Sequence, residues 1–248
     1  MNIICCIARV PDTAARIKIA NDGKSPDPEG LQTTINPYDE FALEAALQLK
    51  EAGGGQLVVI HVGPEDFQKE LRQCLAKGAD LAIQIVCSGP LGPHGIAELI
   101  AARIAEFLPA TIFCGKQAVD GDVGGTGAML ASLLKIPVLG KVSSLRFEGG
   151  KAFASREIEG AVETMEAPMP LVVTTEKGLN EPRRAGLKEI MAAKKKPLLV
   201  ENAEAPGQKL LLHRLELPPP RKDGRIVGEG AAAVPALLDA LRNEAKVL

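Results

Sequence analysis

The chain has 248 residues, a formal net charge of −2, 46% hydrophobic and 24% charged residues, which suits a globular protein with one enlarged α/β domain or a domain plus an arm. Aromatics make up 3%, with no Trp and Tyr38 as the single tyrosine, so the chain lacks the stacking platforms and the basic field on which nucleic-acid binding rests. No apolar run approaches the ~20 residues needed to span a bilayer, which argues against membrane insertion.

The opening MNIICCIARV reads as a first strand rather than a cleaved signal. Within it, residues 3–8 (IICCIA) form the continuous apolar run of a parallel strand covered on both faces. A loop rich in Asp, Gly and Pro leads to Asn36-Pro37. YDEFALEAALQLKEAGGG then has the pattern of an amphipathic helix stopped by Gly53, Gly54 and Gly55. QLVVIHV (56–62) is a second buried strand, and PEDFQKELRQCLAKGAD opens a second helix with Pro64 and acids at its N-terminus. LAIQIV (81–86), GIAELIAARIAEFL (95–108) and TIFC (111–114) continue the alternation as strand, helix and strand, and AMLASLLKIP makes a further helix ending near Pro137. Strands alternating with helices at this spacing predict a doubly wound, mostly parallel sheet of the Rossmann-like, adenine-nucleotide-binding type.

The pattern then changes. VSSLRFEGGKAFASREIEG reads as a hairpin turning at Glu148 to Lys151, and PLVVTTE (170–176) returns as a buried strand. Lys194, Lys195 and Lys196 are a short charge run, read as a solvated surface. From about residue 200 the regular rhythm is lost. Pro218, Pro219 and Pro220 mark an extended segment before a last helix, VPALLDALRNEA. The expected organisation is an α/β domain over 1–200 with a hairpin insertion, followed by an extended arm over 201–248. The arm either lies along a partner or folds back on its own domain.

Cys5, Cys6, Cys74, Cys87 and Cys114 are odd in number and contain no CxxC pair. They read as buried small hydrophobes in a reducing, cytoplasmic compartment. His61, His94 and His213 stand in unrelated contexts, and neither GxSxG nor HExxH occurs, so no acid–base machine or metal site is expected. Asp120 and Asp122, two apart on a loop, read as turn formers.

The stretch GKQAVDGDVGGTG, Gly115 to Gly127, lies at the carboxyl end of TIFC and before a helix. In open α/β sheets ligands bind at that position. Gly121, Gly124, Gly125 and Gly127 would let backbone N–H groups approach an anion, and the helix start adds its unpaired donors. Thr126 could bond a phosphate oxygen or cap the helix. Lys116 precedes the glycines, so the stretch is not a P-loop, and GxGxxG is absent. Phosphate binding without phosphoryl transfer is one reading; a ligand-free turn is the other.

Several stretches together resemble the β subunit of the electron transfer flavoproteins. They are INPYDEFALEAALQLKEAG, LRQCLAKGAD, CGKQAVDGDVGGTG, REIEGAVET followed by PLVVT, and LNEPRRAGLKEIMAAKKK, with a weaker echo in PPPRKDGR. The resemblance implies the non-catalytic half of a heterodimer. An α subunit would hold the redox FAD, this chain would bury a structural AMP, and electrons would pass from dehydrogenases such as acyl-CoA dehydrogenases to a quinone-linked acceptor. Carried over by position, the cofactor contacts fall on Cys6, on Asn36, Pro37, Tyr38 and Asp39, and on Gly63. They continue along Gly115, Lys116, Gln117, Ala118, Val119, Asp120, Gly121, Asp122, Val123, Gly124, Gly125 and Thr126. Of these, Asn36 would bond adenine or ribose edges, and Tyr38 falls near the flavin ring.

The resemblance also implies a partner-recognition segment from Arg183 to Ala192. Leu187 would be its apolar anchor, with Ile190 and Met191 beside it, and Glu157 would pair with an Arg of the α subunit. The chain departs from the AMP-binding pattern at Gly124-Gly125, where an Asn-Gln pair is common, and at Thr13 and Ala161. Asp120-Gly121-Asp122 also resembles flavin-bifurcating members, in which FAD takes the place of AMP and NAD(H) is used. Those members carry Val where this chain has Thr126 and Pro where it has Ala128, so Thr126 favours AMP. A stand-alone AMP- or ATP-binding regulatory or hydrolytic α/β protein is the alternative from another class.

Overall fold

The structure, a computed structural model, describes residues 1–89, 91–107, 109–207, 209, 211–220 and 223–248. Leu108, the expected end of the third helix, and Arg221 and Lys222 of the tail lie outside the described residues. The elements run β1 (Asn2–Cys6), β2 (Arg9–Pro11), β3 (Thr33–Ile35), α1 (Pro37–Gly53), β4 (Gln56–Gly63), α2 (Gln68–Lys77), β5 (Leu81–Val86), α3 (Pro93–Ile104), β6 (Thr111–Gly115) and α4 (Thr126–Leu134). They continue as β7 (Val138–Val142), β8 (Ser144–Glu148), β9 (Lys151–Ile158), β10 (Ala161–Pro168), β11 (Leu171–Thr175), α5 (Leu187–Ala193), β12 (Leu198–Asn202) and α6 (Val234–Asp239).

The expected doubly wound sheet is present. Among the described residues seven strands lie in the order β12-β5-β4-β1-β6-β11-β7, and each pairing is parallel. The apolar runs are continuous because both faces are covered, so successive side chains enter opposite cores. Ile3 and Cys5 of β1 join one core with Leu43 and Leu47 of α1, Leu71 and Leu75 of α2 and Ala193 of α5. Ile4 and Cys6 join the other with Ile100 and Ile104 of α3 and Leu130 of α4. Each fully buried Leu, Ile or Phe side chain contributes roughly 1.5–3 kcal/mol. All five cysteines are buried free thiols.

The helix signals act where the sequence puts them. Pro37 opens α1, Asp39 and Glu40 sit in its first turn and Lys50 in its last, each matched to the helix dipole. Gly54 ends it at φ +69, its N–H donating to the Lys50 carbonyl at 2.7 Å. The second helix differs from expectation at its start. A single 3-10 turn, Glu65–Phe67, with a non-helical kink inside it at Asp66, precedes α2, which begins at Gln68.

The expected hairpin turns at Glu148 to Lys151, with Glu148 paired to Lys151. It is longer than the sequence pattern indicates: β9 turns again and pairs with β10 from Ile158–Ala161 to Lys151–Pro168. The resulting three-stranded antiparallel sheet covers one core with Ala152, Ala154 and Ala167. At the far edge of the main sheet, β12 runs to Asn202 against β5, past the expected boundary at residue 200. Beyond it the described residues of the tail form no helix or strand up to a 3-10 turn at Ala231–Ala233, which is followed by α6 and a π turn at Ala240–Glu244. Leu211, Leu217 and Ile226 of the tail are exposed, and Leu215 N–H donates to the Gly23 carbonyl at 2.8 Å.

Candidate functional site

β1 and β6 are neighbours at the centre of the sheet. The chain leaves them in opposite senses, because α1 covers one face and α4 the other. That divergence is the topological switch point, where a crevice opens at the carboxyl ends of the strands. A cavity of about 390 Å³ lies there, at the small end of the ~300–1,000 Å³ range of ligand pockets. All the expected cofactor residues line it except Pro37, Tyr38, Gly63 and Val119.

Two side chains at the start of α1 hold the crevice together. Asp39 is buried and its two carboxylate oxygens reach opposite lips: Oδ2 accepts the Ala8 N–H beyond β1, and Oδ1 accepts the Gly115 N–H at the end of β6, both at 2.7 Å. Burial pushes the Asp39 carboxyl up to about 7, against the pull of those two N–H donors and of Asn36. Asn36, 1% exposed, donates from Nδ2 to the Gln117 carbonyl at 2.9 Å and accepts the Val119 N–H at 3.3 Å. Its amide therefore holds the 115–119 backbone, a role in loop shape that the expected contact with adenine or ribose did not anticipate.

The loop glycines divide into two kinds. A Cβ on Gly115 would fall 2.6 Å from Asp39 Oδ1, and one on Gly127 would fall 2.5 Å from Thr174 Cγ2 and 2.8 Å from Cys114 Sγ. These two permit close packing of the loop and of α4 on the sheet. At Gly121 the nearest atom would be 4.0 Å away, so its missing side chain leaves open room. Gly124 takes φ +62, where glycine is favoured. Asp122 also has positive φ, with its N–H on the Ala118 carbonyl at 2.9 Å and its carboxylate accepting Gln117 Nε2 at 2.6 Å. Burial raises the Asp120 carboxyl above its ordinary value.

α4 starts with Gly125 as N-cap and no side-chain cap, so its first N–H groups keep their donors for whatever enters the crevice. The cations of the walls are already paired, Arg9 with Asp66 and Lys116 with Glu176 at 2.7 Å. An anion here would be met chiefly by backbone donors. Burial raises the Cys6 and Cys114 thiols, which keeps them protonated and unreactive.

Sequence reasoning missed part of the lining: Ala8, Arg9, His61 and Val62, and the far wall of Leu91, Pro93 and Ile96. His61 sits on β4, next to β1, where the switch-point rule could have found it. Its Nδ1 lies 2.9 Å from the Ile7 carbonyl; a carbonyl only accepts, so Nδ1 carries the proton. Nε2 is buried with no partner among the described residues. Desolvation lowers the imidazole to about 4, and the ring leans on Phe67 with centroids 4.2 Å apart. Gly63 makes room for it, since a Cβ there would lie 2.7 Å from Nε2. Tyr38 stands outside the lining, with Lys116 Nζ 4.8 Å from its ring centroid.

The expected recognition residues are elsewhere. Leu187 opens α5 and is 78% exposed, with Ile190 and Met191 exposed beside it. Arg183, by contrast, is turned onto α1: half-buried, it donates to Glu44 and Glu51. Glu157 is exposed on β9.

Fold and crevice together define a doubly wound α/β protein with a cavity of mononucleotide size at its switch point. The family model described as "Electron transfer flavoprotein domain" matches residues 27–206. The chain is 38% identical to the electron transfer flavoprotein subunit beta of Bacillus subtilis (strain 168) and 35% identical to that of Bradyrhizobium diazoefficiens, each over the whole of both chains. It is 35% identical to the mouse subunit beta over 90% of this chain and 91% of the mouse chain. The chain belongs to the electron transfer flavoprotein family, among its beta subunits. Among the described residues no helix is long and apolar enough to cross a membrane.

Proposed function

We propose that this chain is the β half of a heterodimeric electron carrier that accepts electrons from dehydrogenases such as acyl-CoA dehydrogenases and delivers them to a quinone-linked acceptor. The crevice at the switch point holds AMP, while the redox FAD belongs chiefly to the α subunit. The observation that carries the nucleotide reading is the conjunction of an uncapped α4 N-terminus, the Gly115–Gly127 loop and a cavity of about 390 Å³.

The residues present fit AMP. Backbone donors from Gly121 to Thr126 suit a phosphate, the pairing of Arg9 and Lys116 leaves no stray buried cation, and Leu91, Pro93 and Ile96 offer an apolar wall for a base. Bound FAD supplies the electron-accepting chemistry; this chain's residues position it and keep its surroundings dry. Tyr38, held beside the loop by Lys116, faces that shared interface, and Glu157 offers its exposed carboxylate to the α subunit. Leu187, Ile190 and Met191 form the apolar anchor for the dehydrogenase, ringed by Arg184 and Lys188. The tail lies along the α subunit. Five buried free thiols suit a reducing compartment such as the cytoplasm.

A second reading, FAD in the crevice with NAD(H) chemistry, draws on Asp120-Gly121-Asp122 and on the open space at Gly121. Denaturing the purified heterodimer and identifying the released nucleotides separates the two. One AMP and one FAD are expected; two FAD together with NADH oxidation would establish bifurcation instead. A chain that binds or cleaves ATP with no flavoprotein partner would overturn both.

A further inference from the structure

The exposed apolar side chains of α5 are carried on a short segment fastened at both ends. At the far end, Ala193 is buried and its carbonyl accepts Arg72 Nη1 at 2.8 Å. Lys196 next to it donates to the Leu75 and Ala79 carbonyls at 2.9 and 2.7 Å. At the near end, Asn180 Nδ2 donates to the Phe41 carbonyl of α1 at 2.9 Å, and Leu179 and Ala185 pack on the core.

Arg183 completes that near end. Its Nε and Nη2 donate to the two carboxylate oxygens of Glu44 at 2.8 and 2.9 Å, and its own N–H donates to Glu44 at 3.2 Å. Glu51, two helical turns on, accepts from the same guanidinium. Glu44 is 5% exposed in the middle of α1, a place where an ionised carboxylate persists only with a partner. Burial raises its carboxyl, and the hydrogen bonds from Arg183 outweigh that and hold it below the usual range.

We propose that Glu44 and Arg183 form a positioning clamp that keeps residues 184–192 in the shape that presents Leu187, Ile190 and Met191. Arg183 acts through Glu44 rather than by touching the dehydrogenase. The inference rests on the docking reading above, in that ordering the segment beforehand removes an entropic penalty from each encounter. A guanidinium with two carboxylates already on its donors has little left for a third party, and its fork explains why Arg occupies the position.

The test uses the assembled heterodimer with Glu44→Gln, Arg183→Gln, the double variant, and Leu187→Ala as a reference. Hydrogen–deuterium exchange is read on the amides of 184–192, and electron transfer is read with an acyl-CoA dehydrogenase reduced by its acyl-CoA. Each clamp variant should speed exchange about tenfold, because local opening becomes easier. The KM for the carrier should rise about 3–10-fold with the effect falling on KM rather than kcat. The double variant should be no worse than the worse single one, as expected of two residues acting as a unit. Arg183→Lys, which keeps the charge and loses the fork, should fall between wild type and Arg183→Gln, and it serves if Glu44→Gln does not assemble. Wild-type exchange and KM in Glu44→Gln, alongside a raised KM in Arg183→Gln, would overturn the clamp and make Arg183 a direct contact. An unchanged KM in Leu187→Ala would overturn the docking reading alone, since the exchange result stands apart from it.

Discussion

The crevice and the α5 segment are built by opposite means on the same helix. At the crevice, buried polar side chains from the start of α1 reach across a split in the sheet and hold backbone: Asp39 joins the ends of β1 and β6, and Asn36 holds the 115–119 loop. At α5, exposed apolar side chains ride on a segment whose polar anchors lie outside the patch, on the middle and end of α1 and on α2. One region keeps polar groups in and presents backbone, whereas the other keeps polar groups at its margins and presents hydrocarbon. Chemistry read at the crevice is therefore sensitive to core substitutions, and chemistry read at α5 should be separable from stability.

Asp39→Ala gives the sharpest break in that contrast. It strands the Ala8 and Gly115 N–H groups, each costing about 1–3 kcal/mol when left unpaired in the interior. We expect a loss of about 3 kcal/mol or more in stability and, on the proposed nucleotide role of the crevice, loss of the nucleotide that wild type is expected to retain. Chemical unfolding and nucleotide extraction check both. Exchange at 184–192 should stay as in wild type; if it rose equally, the two ends of α1 would be one cooperative unit.

Gly127→Ala should cost less, about 1–3 kcal/mol, the usual penalty for overpacking, because its Cβ would press on Thr174 Cγ2 and Cys114 Sγ. Gly121→Ala, which meets only open space, should leave the thermal midpoint within about 2 °C while weakening nucleotide retention. Equal destabilisation by both would mean that the loop glycines serve the fold alone.

Much of this was legible beforehand, for reasons that differ by residue. The central strands announce themselves because both faces of the sheet are covered, so IICCIA and LAIQIV carry no polar alternation to confuse the period. α1 is legible because Pro37, its acids and Gly54 each mark an end. The edges were not. β12 follows a lysine run with Leu199 and Val200 exposed, and β7 contains Gly140 and Lys141 at φ +56, so neither shows a buried run. β10 (AVETMEAP) carries two glutamates among its eight residues and buries only Ala167, so it too lacks a buried run. At the site, the loop glycines were visible as a composition. The turn of Arg183 onto α1 was not, because its partners there lie far away in sequence. His61 was visible as a residue, and applying the switch-point rule to it required placing β4 beside β1.

The pH response refines the comparison on the crevice side, with effects of about 1.4 kcal/mol per pH unit at most for each proton. Asp39 is raised from 3.8 to about 7, so its contribution is present below pH 3.8 and is lost as pH rises through 7. His61 is lowered from 6.5 to about 4, so its contribution is present above pH 6.5 and is lost as pH falls through 4. Between about pH 4 and 6.5 the two slopes oppose, and wild-type stability should be nearly flat. His61→Asn should leave stability falling with pH across that window, and Asp39→Asn should leave it rising. Denaturant midpoints at pH 4.5, 5.5 and 6.5 read the slopes; parallel curves for the two variants would remove these groups from the linkage.

The smallest effect on stability should come from Leu187→Ala. A side chain 78% exposed has little burial to lose, so the thermal midpoint should move by about 1 °C or less. Its replacement by alanine also favours the helix slightly. The same substitution removes hydrocarbon that a partner pocket would bury, worth about 1.5–3 kcal/mol for a whole leucine. The dissociation constant of the carrier–dehydrogenase complex should therefore rise about tenfold, with the flavin spectrum and the retained nucleotide unchanged. Loss of either cofactor on Leu187→Ala would tie α5 to the crevice and erase the separation between presenting hydrocarbon and presenting backbone.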